Sequence, residues 1–346
     1  MKMTFRWYGT DDPVTLDRIR QIPVISGVVS AVYSCKVGEV WSREDIAALK
    51  KQANDKGLEF EVVESVPVHE DIKLGAPNAQ KYIDNYCENI RRLGEAGVKV
   101  ICYNFMPVFD WLRSDLSRNL ADGSNALAYD HKTVLDMDPA KKELSLPGWD
   151  ESYTKDELQN LLKQYESIDE EQLWKNLENF LKQIIPVAEQ NDIKMAIHPD
   201  DPPWGIFGLP RVITNKENLE RFIKLVDSPS NGVTFCTGSL GVNPDNDLCD
   251  MIHMLSGRIP FAHLRNIKIT GNLDFEESAH PSKNGSLDMV AIVKALKDSG
   301  FDGYIRPDHG RMIWDETGRP GYGLYDRALG AMYTYGVWEA LEKAGK

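Results

Sequence analysis

Short apolar segments alternate with longer segments of helical periodicity along most of the chain. Eight of the short segments are rich in β-branched and aromatic residues, which are typical of strands. We interpret these eight as strands, at Met3–Tyr8, Ile25–Val32, Leu58–Val66, Val98–Phe105, Ile193–His198, Gly232–Cys236, Ile259–Leu264 and Phe301–Arg306.

The longer segments place apolar residues three and four positions apart, which is the period of an amphipathic helix. Such segments begin at Ser42, Pro77, Asp169, Asn215 and Ser286. Each apolar stripe requires one buried face, so we expect these helices to pack against the strands.

Strands that alternate with helices imply parallel pairing through right-handed crossovers. Eight such units favour an α/β fold, a closed (β/α)8 TIM barrel, and an open doubly wound sheet is the alternative. Because no linker or internal repeat divides the chain, we expect residues 1–346 to form a single barrel domain.

One segment breaks the alternation. Residues 106–168, after the fourth strand, form a charge-rich stretch that is too long for an ordinary connection. We interpret this stretch as an extended loop or helical insertion within the barrel. It would act either as a lid over the site or as a brace at a subunit contact.

The composition of the chain limits the kinds of partner that it is expected to bind. The chain has 40 Lys and Arg against 53 Asp and Glu, which gives a net charge of −13. This balance argues against a nucleic-acid binder and against an anionic membrane surface. No apolar run is long enough for a transmembrane helix, and no secretory signal pattern is present. Five cysteines without a C-x-x-C pair fit a cytoplasmic enzyme with free thiols.

Four residues with metal-ligating side chains lie at the ends of the last four predicted strands. They are His198, Cys236, His263 and Asp308. Their separations are too long for a zinc finger or a helical metal motif, and they match one ligand per barrel unit. Each residue alone has an ordinary structural interpretation, but together they favour a metal site. The donors suit Zn²⁺ or Fe²⁺, and the carboxylate also admits Mn²⁺.

Two further residues could move protons. His309 follows Asp308 directly and is a candidate general acid or base, or else a residue that holds Asp308 in place. Tyr322 lies between two glycines in a loop before the last helix. It is either a phenolic proton donor or an aromatic residue that packs against that helix.

Other polar or aromatic residues at strand ends are candidates for substrate binding. They are Trp7, Asn104, Arg265 and Asn266. Arg265 would either clamp a substrate carboxylate or neutralise acidic loops. No glycine-rich phosphate motif and no nucleophile elbow is present, so we expect neither a nucleotide cofactor nor acyl-serine chemistry.

The motifs around these residues resemble those of the mannonate dehydratases, in the xylose-isomerase-like group of TIM barrels. The matching strings are FRWYG, ESVPVHEDIK, MAIHPDDPP, FCTGSLG, FAHLRN and RPDHGR, and the resemblance extends from Phe5 to the final helix.

This resemblance implies conversion of D-mannonate to 2-keto-3-deoxy-D-gluconate and water, in hexuronate and glucuronate catabolism. It implies Mn²⁺ as the metal, held by His198, Cys236, His263 and Asp308. The thiolate ligand keeps Fe²⁺, Co²⁺ and Zn²⁺ open. His309 and Tyr322 would be the proton-transfer pair, and the enzyme would be a cytoplasmic homodimer that acts on a small sugar acid.

The fold alone would allow three other functions. A sugar or sugar-acid isomerase or epimerase is the main alternative, because it also shifts protons on metal-bound sugars. A phosphodiesterase or nuclease conflicts with the charge of −13. A catalytically inactive barrel used as a binding module would lack one of the metal ligands, and all four are present.

Overall fold

The strands and helices alternate as the hydrophobic pattern predicts. The computed structural model describes residues 1–137, 139 and 154–344 of the chain. Its strands are β1 (Lys2–Arg6), β2 (Gly27–Ser30), β3 (Glu59–Glu64), β4 (Val100–Tyr103), β5 (Asp115–Asn119), β6 (Asn125–Tyr129), β7 (Lys194–Ile197), β8 (Asn231–Cys236), β9 (Phe261–Leu264), β10 (Asn266–Gly271), β11 (Asp274–Ser278) and β12 (Tyr304–Pro307).

The helices follow the same order along the chain. They are α1 (Leu16–Ile19), α2 (Arg43–Asn54), α3 (Glu70–Leu74), α4 (Ala79–Glu95), α5 (His131–Asp136), α6 (Lys155–Tyr165), α7 (Glu170–Gln190), α8 (Lys216–Leu225), α9 (Thr237–Gly241), α10 (Leu248–Met254), α11 (Met289–Asp298) and α12 (Tyr325–Ala344), with a 3₁₀ turn at Ser282–Asn284.

Eight parallel strands close into a barrel, in the order β1, β12, β9, β8, β7, β4, β3 and β2. Every predicted strand forms one of these barrel strands, so the (β/α)8 prediction is confirmed. The parallel register places Cys236 beside His263 and His263 beside Arg306. This register brings the ends of neighbouring strands together at one end of the barrel.

The inside of the barrel changes character along the strands. An apolar layer packs together nearer the amino ends and consists of Val29, Val62, Val100, Cys102, Ala196 and Phe261. Glu64 and His263 lie two positions beyond Val62 and Phe261, on β3 and β9. Arg306 pairs with His263 from the adjacent strand β12. Because alternate strand residues point to the same side, these three side chains also face inward. Together with Arg6 at the end of β1 they make up the charged layer.

The outer helices pack their apolar faces against the barrel and enclose the main core. Asp169 and Asn215 accept hydrogen bonds from backbone N–H groups at the starts of α7 and α8, which fixes where these helices begin. Helix α7 buries Trp174, Leu177 and Phe180 against neighbouring elements. This packing matches the three- and four-residue periodicity of the sequence.

A second sheet was not predicted. It is antiparallel, with strand order β10, β11, β6 and β5. Strands β5 and β6 belong to the 106–168 insertion, whereas β10 and β11 lie in the connection between β9 and α11. The two hairpins join through pairing of Phe275 with Tyr129 and of Glu276 with Ala128. Within the insertion, residues 138 and 140–153 lie outside the described part, and the predicted lid or brace role stays a prediction.

Two other properties bear on the sequence expectations. All five cysteines are free thiols. Within the part of the chain that the structure describes, no helix combines the length and the apolar composition needed to cross a membrane.

Candidate active site

A cavity of about 280 Å³ opens at the carboxyl ends of the barrel strands. Active sites of TIM barrels lie at this end. The cavity is lined by charged, polar and aromatic side chains that include Arg6, Tyr8, Glu64, Asn104, Asp110, Trp111, His198, Asp201, Arg306, Asp308, His309, Arg319 and Tyr322.

The four predicted metal ligands cluster beside this cavity, and two of them, His198 and Asp308, line it. One donor atom from each of His198, Cys236, His263 and Asp308 lies within 4.8 Å of all the others. They lie on, or directly after, β7, β8, β9 and β12, which are consecutive around the barrel. Two imidazoles, a thiol and a carboxylate suit a divalent transition metal. The arrangement of these donors therefore fits the ion that the sequence pattern suggests.

Hydrogen bonds orient two of these donors. The Nδ1 atom of His198 lies 2.7 Å from the carbonyl oxygen of Pro199, so Nδ1–H donates there and the other ring nitrogen is left to pair with the Cys236 sulfur. The Ser239 backbone N–H and hydroxyl donate to Cys236 Sγ, at 3.5 and 3.1 Å. Burial alone would raise the pKa of Cys236, but the guanidinium of Arg265 and the nearby His198 lower it to about 5. The sulfur is therefore held as a thiolate, the form that binds metals.

Two buried arginines hold the carboxylate of Asp308. Arg265 Nε donates to Oδ2 at 2.7 Å, and Arg306 Nη1 donates to Oδ1 at 2.8 Å. Burial opposes ionisation, but the guanidinium groups of Arg306 and Arg265 hold the pKa of Asp308 well below its usual range. The carboxylate is charged and fixed in position before any ligand binds.

His309 and Tyr322 form a hydrogen-bonded pair in the same cavity. The Nε2 atom of His309 lies 2.9 Å from the Tyr322 hydroxyl, and Nδ1 lies 3.0 Å from Oε1 of Glu277. An ionised carboxylate only accepts, so Nδ1–H donates to Glu277 and Nε2 accepts from the phenol. Burial raises the pKa of Tyr322 well above its ordinary value, which keeps the phenol protonated.

Glu277 is a site residue that sequence reasoning missed. It lies on β11 of the second sheet and is fully buried. Arg113 Nη2 donates to its Oε1 at 2.9 Å, and Arg265 Nη1 donates to the same atom. These arginines, with His309, overcome burial and lower the pKa of Glu277 to about 2. The one available signal was its position two residues after Phe275, on the buried face of a short strand.

The predicted substrate-binding residues have different placements. Asn104 lines the cavity, whereas Trp7 is buried outside it. Arg265 lies behind the metal donors, where it also binds Asp201 Oδ2 at 2.7 Å, which favours the alternative of charge neutralisation. The amide of Asn266 accepts from the Leu287 N–H at 3.1 Å. Substrate contact by these four stays a prediction, which the placement favours for Asn104.

Comparison with known proteins gives one consistent family. A sequence model of the D-mannonate dehydratase family matches residues 1–346. A mannonate dehydratase of Streptococcus uberis is 56% identical over 348 residues, which covers 100% of both chains. The crystal structure of mannonate dehydratase from Streptococcus suis serotype 2 superposes with a TM-score of 0.93 at 51% identity. The match covers 100% of this chain and 96% of that one.

More distant structures share the barrel. A D-psicose 3-epimerase from Clostridium cellulolyticum superposes with a TM-score of 0.57 at 15% identity, over 99% of this chain and 97% of that one. At this identity the likeness concerns the fold alone.

Proposed function

The chain belongs to the D-mannonate dehydratase family, and we propose that it removes water from D-mannonate in the cavity at the carboxyl ends of its barrel strands. The enzyme is thus a lyase that acts on a small sugar acid. The reaction takes a proton from C2 and hydroxide from C3. The resulting enol becomes 2-keto-3-deoxy-D-gluconate.

The metal would be held by His198, Cys236, His263 and Asp308, whose donor atoms lie within 4.8 Å of one another. When bound, a divalent ion would act as a Lewis acid on the oxygens of the substrate. We propose Mn²⁺ as the ion. The thiolate of Cys236 makes Fe²⁺, Co²⁺ and Zn²⁺ the alternatives.

His309 is the proposed base that removes the C2 proton. Glu277 keeps the proton on Nδ1, so the lone pair on Nε2 faces Tyr322 and the cavity. A neutral imidazole held this way can accept a proton through Nε2.

Tyr322 is the proposed acid. Because burial keeps its phenol protonated, its hydroxyl can give a proton to the departing C3 hydroxyl, which leaves as water. The phenolate then recovers a proton from His309 Nε2, from which it lies 2.9 Å away. In this sequence the proton taken from C2 restores the acid, and both side chains return to their starting state.

The hydrogen bond between His309 and Tyr322 at the rim of the four-donor cluster is the observation that carries this assignment. The test starts from metal-stripped protein, to which Mn²⁺ and D-mannonate are added. We expect a 2-keto-3-deoxy acid only when metal is present. No product with Mn²⁺, Fe²⁺, Co²⁺ or Zn²⁺ would overturn the proposal.

Two variants then test the proton-transfer pair. We expect H309A and Y322F each to lower kcat by about 10²- to 10⁴-fold, the usual contribution of a general acid or base. Metal content, measured by elemental analysis, should stay at the wild-type level. Turnover like that of the wild type in H309A would contradict the assignment.

The mass of the product distinguishes dehydration from the isomerase or epimerase alternative. Isomerisation keeps the molecular formula of the substrate, whereas dehydration lowers the mass by one water. A product of unchanged mass would favour the alternative. The likeness to solved epimerases does not favour it, since that likeness concerns the fold alone.

A homodimer in the cytoplasm remains our expectation for the physiological state. Light scattering of the purified protein checks the first part, and a monomeric mass would contradict it. Cell fractionation checks the second.

A further inference from the structure

The charged layer contains a cation that is poorly paired. The Arg6 side chain lines the cavity and is only 9% exposed, yet its Nε and Nη1 atoms have no hydrogen-bond partner in the part of the chain that the structure describes. A buried guanidinium that lacks partners is unfavourable, because it has lost water without regaining equivalent bonds.

The nearest carboxylate is already used. Arg306 binds both oxygens of Glu64, with Nε to Oε2 at 2.9 Å and Nη2 to Oε1 at 2.8 Å. Arg6 Nη1 lies 3.3 Å from the same Oε2, close enough for an ion pair but without hydrogen-bond geometry. Arg6 therefore shares the Glu64 carboxylate with Arg306, which holds both of its oxygens by hydrogen bonds, and Arg6 has only the looser ion pair.

A second arginine, Arg319, also lines the cavity. The guanidinium of Arg319 lies 4.2 Å from the ring centre of Tyr8, and that of Arg6 lies 4.8 Å from it. The ring faces compensate the two cations partly. Two other carboxylates of the cavity wall, those of Asp201 and Asp308, are bound by other arginines. An anion that enters the cavity would find Arg6 available.

We propose that Arg6 binds the carboxylate of the sugar acid and is a specificity-determining residue that favours acids over neutral sugars. The inference rests on the proposed function, because it takes D-mannonate as the occupant of the cavity. A guanidinium presents paired donors that match a carboxylate. The bond would give the Arg6 guanidinium, which lines the cavity, a carboxylate partner of its own.

The first test compares two ligands that differ only at C1. D-Mannonate has a carboxylate there, and D-mannitol has a hydroxymethyl group. We expect R6Q to raise KM for D-mannonate by about 10- to 100-fold, as for the loss of a charged hydrogen bond, and to change the inhibition constant of D-mannitol less than about threefold. R6K, which keeps the charge, should fall between R6Q and the wild type.

Equal weakening of both ligands, or an unchanged KM for D-mannonate, would overturn the inference. If D-mannitol does not inhibit the wild type, the rise in KM across wild type, R6K and R6Q decides the question. A matched control is R258Q. Arg258 donates to the carbonyl of Ser228 at the amino ends of the strands, away from the cavity, and KM should not change.

Thermal melting without substrate gives a second readout. A purely structural arginine would lower Tm when removed, whereas a buried and underpaired one should not. We expect Tm of unliganded R6Q to equal or exceed that of the wild type. The rise in Tm caused by D-mannonate should shrink in R6Q. A lower unliganded Tm with an unchanged ligand effect would show a structural role.

These outcomes are separable from those of the proposed function. If the wild type does not dehydrate D-mannonate with any of the four metals, the proposed function fails. If the wild type does so and R6Q has the wild-type KM, only the role of Arg6 fails.

Discussion

The apolar layer and the charged layer of the barrel are neighbours along the barrel axis, two residues apart on β3 and β9, and different physical requirements govern them. On β9, Phe261 belongs to the apolar layer and His263 to the charged one, with ring centres 4.6 Å apart and both side chains fully buried. The apolar layer requires side chains whose shapes and volumes fit together. The charged layer requires a partner for every donor, and Arg6 lacks some of its partners.

This difference separates stability from function along the barrel axis. Well-packed apolar side chains stabilise the fold whatever the ligand. Buried charges that await a ligand do not stabilise the free protein and are retained at functional sites. We therefore expect substitutions in the apolar layer to lower stability more than activity, and substitutions in the charged layer to lower activity more than stability.

The largest expected effect comes from the charged layer. Replacing His263 with alanine removes one of the four proposed metal donors. Since a metal contributes several kcal/mol to the transition state, kcat/KM for D-mannonate should fall by about 10³-fold or more. Elemental analysis should show less bound metal. A variant with full metal content and activity would remove His263 from the site.

The matched change in the apolar layer should lower stability and leave catalysis nearly unchanged. Phe261→Ala leaves a cavity and should lower the free energy of unfolding by about 3–5 kcal/mol. The kcat of the folded fraction should stay near that of the wild type. Urea denaturation measures the first quantity, and Phe261→Leu gives a milder version if the alanine variant does not fold. A large loss of kcat with unchanged stability would contradict the division between layers.

A smaller effect is expected at Glu277, which supports the site from the second sheet. Glu277→Gln keeps an oxygen for His309 Nδ1–H but removes the charge. It should lower kcat by about 10- to 100-fold, as for residues that orient a catalytic histidine, and alter KM little. Glu276→Gln is the control, because this neighbour points to the other side of β11. Equal losses of kcat in the two variants would show that activity responds to any change on β11 and not to the charge of Glu277 in particular.

The smallest effect is expected outside the barrel. Asp169→Ala removes the side chain that accepts the Gln172 N–H at 2.7 Å at the start of α7. Loss of such a cap should lower the free energy of unfolding by about 1 kcal/mol. Steady-state kinetics should be unchanged. A loss of activity here would mean that α7 contributes to the site.

The barrel could be predicted from the sequence because each strand has a recognisable local pattern of apolar residues. An apolar run such as IKMAIH has the composition of a buried strand, and its final residue lies at the barrel end whatever the neighbouring strands do. The juxtaposition of His198, Cys236, His263 and Asp308 follows from that rule. Their hydrogen bonds do not, since Arg265 and Arg306 reach Asp308 through side-chain conformations that no spacing encodes.

The second sheet could not be predicted for the opposite reason. Strand β5, with the sequence DLSRN, is mostly exposed or half-buried and has little apolar pattern. Strand β11 acquires its place by pairing with β6, which lies more than a hundred positions earlier in the chain. The contact between Glu277 and His309 depends on that long-range pairing, and so it was missed.

That pairing also defines the smallest unit that could be transplanted into another barrel. Phe275 of β11 stacks on Tyr129 of β6 with ring centres 5.3 Å apart, and Glu277 lies two residues further along β11. Deleting the β5–β6 hairpin would leave β11 as an open edge and remove its stacking partner. An engineer who grafts this chemistry must therefore move both hairpins together. Among natural relatives, Phe275 and Tyr129 should change in concert.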